Sequence, residues 1–357
     1  MLWGSLEDSL SYDWLARVPA GHEGTHVIAA VPMEFTDTAL ASDVLDGLKL
    51  VEDGLRDAAR SEHEVLAEAS AHLMEAGGKR LRPMLVLLAA QFGDPQDPRV
   101  VSAAIALELT HLATLYHDDV MDEAEVRRGD VSANSRWGNS VAILTGDYLF
   151  SRASEILAGL GVEAIRIQAQ TFARLVTGQI SETVGCRPGE DPLDHYLGVV
   201  TEKTASLFAT SGRFGAMFSC APAEVTERIT PACRALGVAF QLADDILDVA
   251  SESEQSGKTP GTDLREGVQT LPMLYALRSA RPGDARLVEL LSMPGLADPA
   301  LHAEALDLLR AHPAMDMAKA DTRGWAEAAR TEILGLPDVP ARAAFEALCE
   351  FVVERTG

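Results

Sequence analysis

Apolar residues recur every three or four positions along most of the chain, the spacing that places them on one face of an α-helix. The first such stripe comprises Val44, Leu48, Val51, Leu55 and Ala58. We expect the helical segment that carries it to end at Gly77 and Gly78, because paired glycines are a signal for a helix C-terminus.

Short breaks rich in glycine, proline and aspartate divide the rest of the chain into apolar segments of helix length. We find no convincing pair of strands, so the sequence predicts an all-α protein, a single domain of roughly ten or more helices. Two segments, 101–117 and 232–247, are apolar on all sides, which predicts that they lie at the centre of the fold.

The start of the chain has a different pattern. Residues 1–36 carry glycine, proline and histidine without helical periodicity. We interpret them as a flexible N-terminal extension and residues 37–357 as the all-α domain.

Composition narrows the function classes. The 357 residues are 47% hydrophobic, enough for a sizeable core, and their net charge of -24 disfavours binding to nucleic acid or anionic membranes. The four cysteines are scattered, which indicates neither a zinc site nor a disulfide framework and fits a reduced, cytoplasmic compartment. No apolar run reaches the ~18 residues of a membrane-spanning helix.

The stretch HDDVMDEAEVRRG places three aspartates, Asp118, Asp119 and Asp122, at the end of an apolar helix. Asp118 and Asp122 share a helix face because they are four residues apart. Carboxylates at a helix C-terminus oppose the helix dipole and repel one another unless a cation neutralises them. A solvated helix tip is the alternative, but the pattern favours a site for Mg²⁺, which binds carboxylates together with phosphate oxygens.

The same DDxxD spacing returns in FQLADDILDVASE, with Asp244, Asp245 and Asp248 again at the end of an apolar helix. Two such copies are unlikely to arise by chance. If the two helices face each other across a cavity, their aspartates can hold several Mg²⁺ ions around a diphosphate.

Basic residues accompany both acidic motifs in an otherwise acidic chain. They are Lys79, Arg80 and Arg82 in GGKRLRP, Arg127 and Arg128 after the first DDxxD, Lys203 in TEKTASLF and Lys258 in SGKTPGTDL. Arginine binds phosphate through forked hydrogen bonds and lysine as a point charge, so we interpret the set as anion-binding. Arg80 taken alone is better explained as a surface charge.

The motifs GGKRLRP, ELTHLATLYHDDVMDEAEVRRG, EKTASLF and QLADDILD with the following GKTPGTDLREG occur in this order between about residues 45 and 355. In these motifs the chain resembles the trans-isoprenyl diphosphate synthases of the polyprenyl synthetase family. The resemblance implies an isoprenoid-synthase-type helical bundle around a central cavity. It also implies a cytoplasmic homodimer without a membrane span that contacts membranes transiently to release product.

The resemblance implies that isopentenyl diphosphate is condensed with an allylic diphosphate. Asp118, Asp122, Asp244, Asp245 and Asp248 would be the ligands of about three Mg²⁺ ions per active site. The isopentenyl diphosphate site would comprise Lys79, Arg82, His111 and Arg128, and the allylic diphosphate site Arg127, Lys203, Thr204, Gln241 and Lys258. The groups central to catalysis would be Asp118, Asp122, Asp244 and Lys203, with no protein general base. Without the resemblance, His111 would be interpreted as an ordinary core histidine.

The chain departs from the family pattern in two places. Val268 in EGVQT stands where the family commonly has a lysine that contacts the allylic diphosphate, which removes one cation from that site. Gln179 and Glu182 in GQISE stand where many members read GE..Q, an exchange of polar types that we expect to be tolerated.

The two residues five and four positions before Asp118, Ala113 and Thr114, bear on product length. They lie about 6 to 7.5 Å deeper along the helix axis than Asp118. In the family, a bulky aromatic residue there is the floor of the product tunnel. Because both side chains are small, the resemblance implies a long product of about C30 to C50 rather than farnesyl or geranylgeranyl diphosphate. A neighbouring helix that supplies the floor is the alternative.

Three other function classes are less well supported. An HD-type metal phosphohydrolase would use histidines such as His63, His72 and His117, but would leave the second DDxxD and GGKRLRP unexplained. A class I terpene cyclase would carry a different metal motif in place of DDILD. A non-catalytic subunit of a heteromeric synthase would be expected to lose the aspartates, which this chain keeps. The sequence does not distinguish the allylic primer, or quinone from sugar-carrier biosynthesis.

Overall fold

The computed structural model of the protein describes residues 36–251, 260–279 and 281–356. Nearly all of the proposed extension, residues 1–36, therefore lies outside the described residues, as does Lys258. The division into an extension and a domain stays a prediction.

The described chain is almost wholly helical, which confirms the all-α prediction. The helices are α1 Thr38–Ala58, α2 Glu64–Glu75, α3 Leu81–Ala90, α4 Pro98–Met121, α5 Ala133–Trp137, α6 Asn139–Leu160, α7 Val162–Val184, α8 Pro192–Val200, α9 Ser206–Phe218, α10 Ala223–Ala250, α11 Thr262–Glu266, α12 Leu271–Arg278, α13 Ala285–Leu291, α14 Pro299–Arg310, α15 Ala314–Ile333 and α16 Pro340–Glu354. A π-helical turn, Thr201–Ala205, joins α8 to α9, and a 3₁₀ turn, Pro282–Asp284, precedes α13.

One short antiparallel pair of strands follows the first acidic motif, although no strand pair was expected from the sequence. Strands β1 (Val126–Arg127) and β2 (Asp130–Val131) pair with Val126 opposite Val131. At two residues per strand the hairpin is too short to carry the alternating pattern by which strands are recognised.

The predicted stripe on α1 is confirmed, because all five of its residues are buried. The segment ends just before the glycine pair, as predicted, but it consists of two helices rather than one. The break falls at residues 59–63, where the hydroxyl of Ser61 accepts a hydrogen bond from the backbone N–H of His63 at 3.2 Å. Such local hydrogen bonds from serine compete with the helix.

Helices α4 and α10 form the centre of the fold, as their apolar sequences predicted. Both are buried along most of their length, and α9 packs against each of them. Helix α4 also packs against α6, α3 and α1, and α10 against α15. The two central helices therefore approach each other across α9, and each carries an acidic motif near its C-terminal end.

Among the described helices, α4 alone is long and apolar enough to cross a membrane, judged by its 24 residues and their composition. However, 83% of its apolar window is buried inside the protein, as in a core helix.

Candidate active site

The first acidic cluster lies in the last turn of α4, where Asp118 and Asp119 are buried and Asp122 is the C-cap. Burial raises the pKa of Asp118 to about 6; the charge of Asp122 adds to this effect, while those of Lys203 and Arg127 oppose it. Asp118 Oδ2 has no hydrogen-bond donor among the described residues. A buried carboxylate oxygen without a donor is suited to a cation.

Asp119 has a different partner. Its Oδ1 accepts a hydrogen bond from Nε of Arg127 at 2.5 Å and forms an ion pair with Nη2 of the same guanidinium. Burial raises the pKa of Asp119, and the adjacent guanidinium opposes that shift. Arg127, in β1, is itself buried, and its Nη1 finds no acceptor in the described part of the chain. Asp119 thus orients Arg127 and leaves one donor of the guanidinium for an anion.

In the second cluster, Asp245 is held on both sides. Gln241 Nε2 donates to its Oδ1 at 3.0 Å, and the hydroxyl of Tyr196 donates to its Oδ2. Gln241 is fixed in turn by the hydroxyl of Thr204, which donates to Gln241 Oε1 at 3.1 Å. Burial raises the pKa of Asp245 to about 7, and the charges of Asp244 and Asp248 add to the effect, while the two hydrogen bonds oppose it. Asp245 is therefore a rigid, hydrogen-bonded carboxylate.

Asp248 fixes the loop that follows α10. Its Oδ1 accepts the backbone N–H of Thr262 at 3.1 Å, and its Oδ2 accepts that of Asp263 at 3.2 Å. These bonds satisfy amide groups at the start of α11 that no carbonyl of that helix can reach. The loop is thereby folded back onto the end of α10.

The folded loop brings a further carboxylate to the cluster. Asp263 is buried, and neither of its oxygens has a hydrogen-bond donor among the described residues. Burial raises its pKa well above the ordinary value, and the charges of Asp248 and Asp245 add to this. The sequence analysis missed Asp263, because only the folding of the loop onto α10 brings it there.

Glu266, at the end of α11, lies close to both acidic motifs. Desolvation raises its pKa, and so do the negative charges of Asp122 in the first motif and Asp248 in the second. Glu266, an exposed residue, therefore lies within electrostatic range of both motifs, although they are far apart in sequence.

Lys203 projects from the π-helical turn, a helix irregularity that is frequent at functional sites. It is buried, forms an ion pair with Glu182 of α7, and lowers the pKa of Asp118 through its charge. Gly178 allows α7 to approach this turn, because a Cβ at that position would lie 2.7 Å from the backbone nitrogen of Lys203. Lys203 thus lies beside the first acidic cluster.

The loop between α2 and α3 places Arg80 inside the protein, so its interpretation as a surface charge is wrong. Its backbone is left-handed, with φ 47°, and its guanidinium forms ion pairs with Glu52 of α1 and, at 3.2 Å, with Glu108 of α4. Without Arg80, these two buried glutamates would lack this counter-charge.

Arg128 connects the hairpin to the same loop. Its Nη1 donates to the carbonyl of Leu73 at 2.7 Å and also to that of Gly77. A Cβ on Gly78 would lie 3.0 Å from the Arg128 guanidinium, so glycine permits this approach. Arg82 begins α3 nearby, buried, with its guanidinium 5.4 Å from the centre of the Phe208 ring. The guanidinium groups of Arg80 and Arg128 therefore both lie beside Gly78.

The remaining predicted residues have the following positions. His111 is fully buried in α4, and its carbonyl accepts the hydroxyl of Thr114 at 2.7 Å. Ala113 is buried where α4 packs closely on α6. Val268 follows α11, and its N–H donates to the carbonyl of Asp263 at 2.9 Å.

Sequence reasoning missed four residues at the site. They are Tyr196, Asp263, Glu266 and Arg355, the last of which donates a hydrogen bond to Asp244. None lies within an acidic motif, so only the three-dimensional contacts identify them.

The chain is similar to known proteins along most of its length. Residues 63–309 match the family described as polyprenyl synthetase. The chain is 52% identical to a nonaprenyl diphosphate synthase of Mycobacterium tuberculosis, over 93% of this chain and 98% of the relative.

Two solved structures are similar in fold. A geranylgeranyl pyrophosphate synthase from Corynebacterium glutamicum, complexed with calcium and isoprenyl diphosphate, is 43% identical with a TM-score of 0.82, over 91% of this chain and 100% of that chain. A decaprenyl diphosphate synthase from Rhodobacter capsulatus is 34% identical with a TM-score of 0.81, over 90% and 99% of the two chains. The paired acidic motifs, the basic residues beside them and these similarities lead to one conclusion: the chain belongs to the polyprenyl synthetase family.

Proposed function

We propose that this protein condenses isopentenyl diphosphate with an allylic diphosphate to make a long-chain all-trans polyprenyl diphosphate of about C30 to C50. The observation that carries the proposal is the pair of acidic motifs near the C-terminal ends of α4 and α10, two helices that both pack on α9. Glu266 lies within electrostatic range of both motifs, and Arg127 is paired with Asp119 of the first. A substrate with a single carboxylate or phosphate would not require both two clusters of aspartates and several basic residues. A metal-bound diphosphate would, because the aspartates bind the metal ions and the basic residues bind the phosphate groups.

Asp118, Asp122 and Asp244 are the residues that would hold Mg²⁺, about three ions per site. The donor set fits such ions, because Asp118 Oδ2 is buried without a donor in the described structure. Asp245 and Asp248 would support the second motif through the hydrogen bonds that fix them. When bound, Mg²⁺ neutralises the diphosphate and stabilises it as a leaving group. The relative from Corynebacterium glutamicum was solved with calcium and isoprenyl diphosphate together.

The allylic diphosphate would contact Arg127, Lys203, Thr204, Gln241 and Lys258. In the proposed reaction, the bond between the allylic carbon and the diphosphate oxygen breaks, which leaves an allylic carbocation. Arg127 and Lys203 donate to the diphosphate as its charge develops, which is electrostatic catalysis by positioned cations.

Isopentenyl diphosphate would bind on the opposite side of the site, through Lys79, Arg82, His111 and Arg128. Arg128 donates to the carbonyls of Leu73 in α2 and Gly77 in the α2–α3 loop, which supports a site that combines Arg128 with the GGKRLRP residues. The double bond attacks the carbocation and forms the new carbon–carbon bond. The departing diphosphate takes the proton lost from the adjacent carbon, so the protein needs no general base.

Product length is the finer part of the proposal. The relatives named above include nonaprenyl, decaprenyl and geranylgeranyl synthases, so their names alone support either a long or a short product. The small side chains of Ala113 and Thr114 favour the long one. A long product is highly apolar, which agrees with transient contact with a membrane during release.

We also propose that the protein is a homodimer. Helix α7 exposes a stripe of apolar residues that a second copy would cover: Val162, Ile165, Val176, Ile180 and Val184. Ile180 is 58% exposed and Val162 84%, which is unusual for side chains that repeat along one helix face. Light scattering should give twice the chain mass for the wild type. Ile180→Glu should shift the protein toward monomer, whereas Leu308→Glu, at an exposed apolar residue of α14, should not.

The activity is tested by product analysis. The purified protein is incubated with Mg²⁺, labelled isopentenyl diphosphate and, in turn, dimethylallyl, geranyl, farnesyl and geranylgeranyl diphosphate. We expect all-trans products of about C30 to C50 with at least one primer. Products that stop at C15 or C20 would instead establish a short-chain synthase. Release of phosphate without chain growth would identify a phosphohydrolase, and no reaction without an added subunit would favour a heteromeric enzyme.

A further inference from the structure

Arg355, directly after α16, forms an ion pair with the first aspartate of the second acidic motif. Its Nη2 donates to Oδ1 of Asp244, and the two side chains are only 3% and 6% exposed. Water screens such a shielded pair weakly. A carboxylate that would hold Mg²⁺ in the proposed function thus already has a protein cation bound to it.

Two aromatic rings hold the guanidinium in place. Arg355 Cζ lies 4.7 Å from the centre of the Phe240 ring and 5.6 Å from that of Phe351. A guanidinium so close to ring faces is stabilised by cation–π attraction. Phe240 lies one helical turn before Asp244, and Phe351 one turn before Arg355. Helix α10 therefore carries Asp244 and Phe240, and α16 carries Phe351 and is followed directly by Arg355.

The contact between the two charges is a single hydrogen bond. Nε and Nη1 of Arg355 are buried and find no acceptor among the described residues. A forked pair would use two parallel N–H groups and would be harder to break. Arg355 can therefore release Asp244 while the rings keep its guanidinium nearby.

We propose that Arg355 is a built-in counter-cation that occupies Asp244 until the metal arrives together with a diphosphate. The inference rests on the proposed function. In the absence of substrate, Arg355 neutralises Asp244, and a divalent cation alone must displace it. When a diphosphate is present, its oxygens provide further ligands for the divalent metal ion. The metal ion then replaces Arg355 at the carboxylate of Asp244. Metal binding at the second motif is thereby coupled to substrate binding.

The test compares Mn²⁺ binding to the wild type and to Arg355→Gln, followed by the electron paramagnetic resonance signal of the free ion. Without substrate, Arg355→Gln should bind Mn²⁺ about tenfold more tightly, because the competing cation is gone. With inorganic diphosphate added, the affinities should agree to within about twofold. Arg342→Gln, on the same helix but paired with exposed Asp338, should bind Mn²⁺ like the wild type.

Equal or weaker binding of Mn²⁺ alone by a folded Arg355→Gln protein would overturn the proposal. If that variant folds poorly, Arg355→Met provides the same comparison, because it fills the space between the rings without a buried polar group. In a protein that also carries Asp244→Asn, Arg355→Gln should no longer tighten Mn²⁺ binding. Tighter binding that persists in this double variant would also overturn the proposal. Mn²⁺ binding requires no turnover. An inactive wild type would therefore reject the proposed function, whereas an active wild type with unchanged Mn²⁺ binding in the variant would reject this inference alone.

Discussion

The backbone N–H of Asp263 donates to Oδ2 of Asp248 at 3.2 Å, which holds the carboxyl group of Asp263 close to a second carboxylate. The Asp263 carboxyl has no donor of its own among the described residues. Two buried acids are therefore kept together by the backbone, at a cost in stability that a bound cation would remove.

Asp263→Asn should stabilise the metal-free protein. The amide has nearly the shape of the carboxyl but no charge, so we expect the melting temperature to rise by roughly 2 to 4 °C at about pH 8. Mg²⁺ with inorganic diphosphate should reduce this gain. Asp307→Asn, at an aspartate whose side chain is 79% exposed, is the control and should leave the melting temperature nearly unchanged.

The rise in melting temperature caused by Asp263→Asn should become smaller as the pH falls. Because the pKa of Asp263 is raised in the folded protein, its charge costs stability above that pKa. The cost disappears as the pH falls toward the ordinary value of 3.8, where the carboxyl is protonated in the folded state. The difference in melting temperature between variant and wild type should therefore shrink on acidification. A difference that grew would show that Asp263 has a stabilising partner.

Asp118→Ala and Asp244→Ala should each lower turnover by about 10²- to 10³-fold or more while the protein stays folded. EDTA should abolish activity reversibly. Because the pKa of Asp118 is about 6, protons should compete with Mg²⁺ as the pH falls through that value, and the apparent metal affinity should drop. Asp130→Ala, at an exposed residue of β2, is the control. Turnover within a few-fold of the wild type in either active-site variant would contradict a site built from both motifs.

Val268→Lys should tighten binding of the allylic primer. Val268 is hydrogen-bonded to Asp263 through its backbone, so a lysine there would start from the loop beside the second motif. One added, partly exposed charge should lower the KM for the primer by about two- to fivefold and leave that for isopentenyl diphosphate unchanged. Gln269→Lys adds the same charge at the next, exposed position and should have a smaller effect. Equal effects of the two lysines would mean that general charge, not position, is responsible.

The sequence predicted the two central helices and their acidic ends because those features are local. An apolar segment that ends in carboxylates is visible in a dozen consecutive residues, and a second copy makes it specific. The break between α1 and α2 was not predicted, because the local hydrogen bond there, from the His63 N–H to the Ser61 hydroxyl, leaves no sign in the apolar pattern.

Contacts between distant residues could not be predicted. Arg80 was interpreted as exposed because lone charged residues usually are. Its partners, Glu52 and Glu108, lie 28 residues before and 28 residues after it, and no helical spacing connects the three. Arg355 and Asp244 are 111 residues apart. Such pairs follow from the packing of α1, α4, α10 and α16, which the pattern of one sequence does not specify.

Ala113→Phe should shorten the product. A growing prenyl chain must run from the diphosphate into an apolar tunnel, and Ala113 lies on α4 about 7.5 Å deeper than Asp118. Because the side chain of Ala113 is a single methyl group, we expect the wild-type product to pass it, whereas a phenyl ring there would close the proposed tunnel. Products should shorten to about C15 to C20, with the rate of the first condensation nearly unchanged.

The control is Ala113→Ser, which adds only a hydroxyl and should give the same product lengths as the wild type. Thermal unfolding should confirm that both variants fold. If the phenylalanine variant is folded and active but its products match those of the wild type, residue 113 does not line the tunnel. The small side chains on α4 would then give no support to a long product, and the floor would have to be sought on another helix.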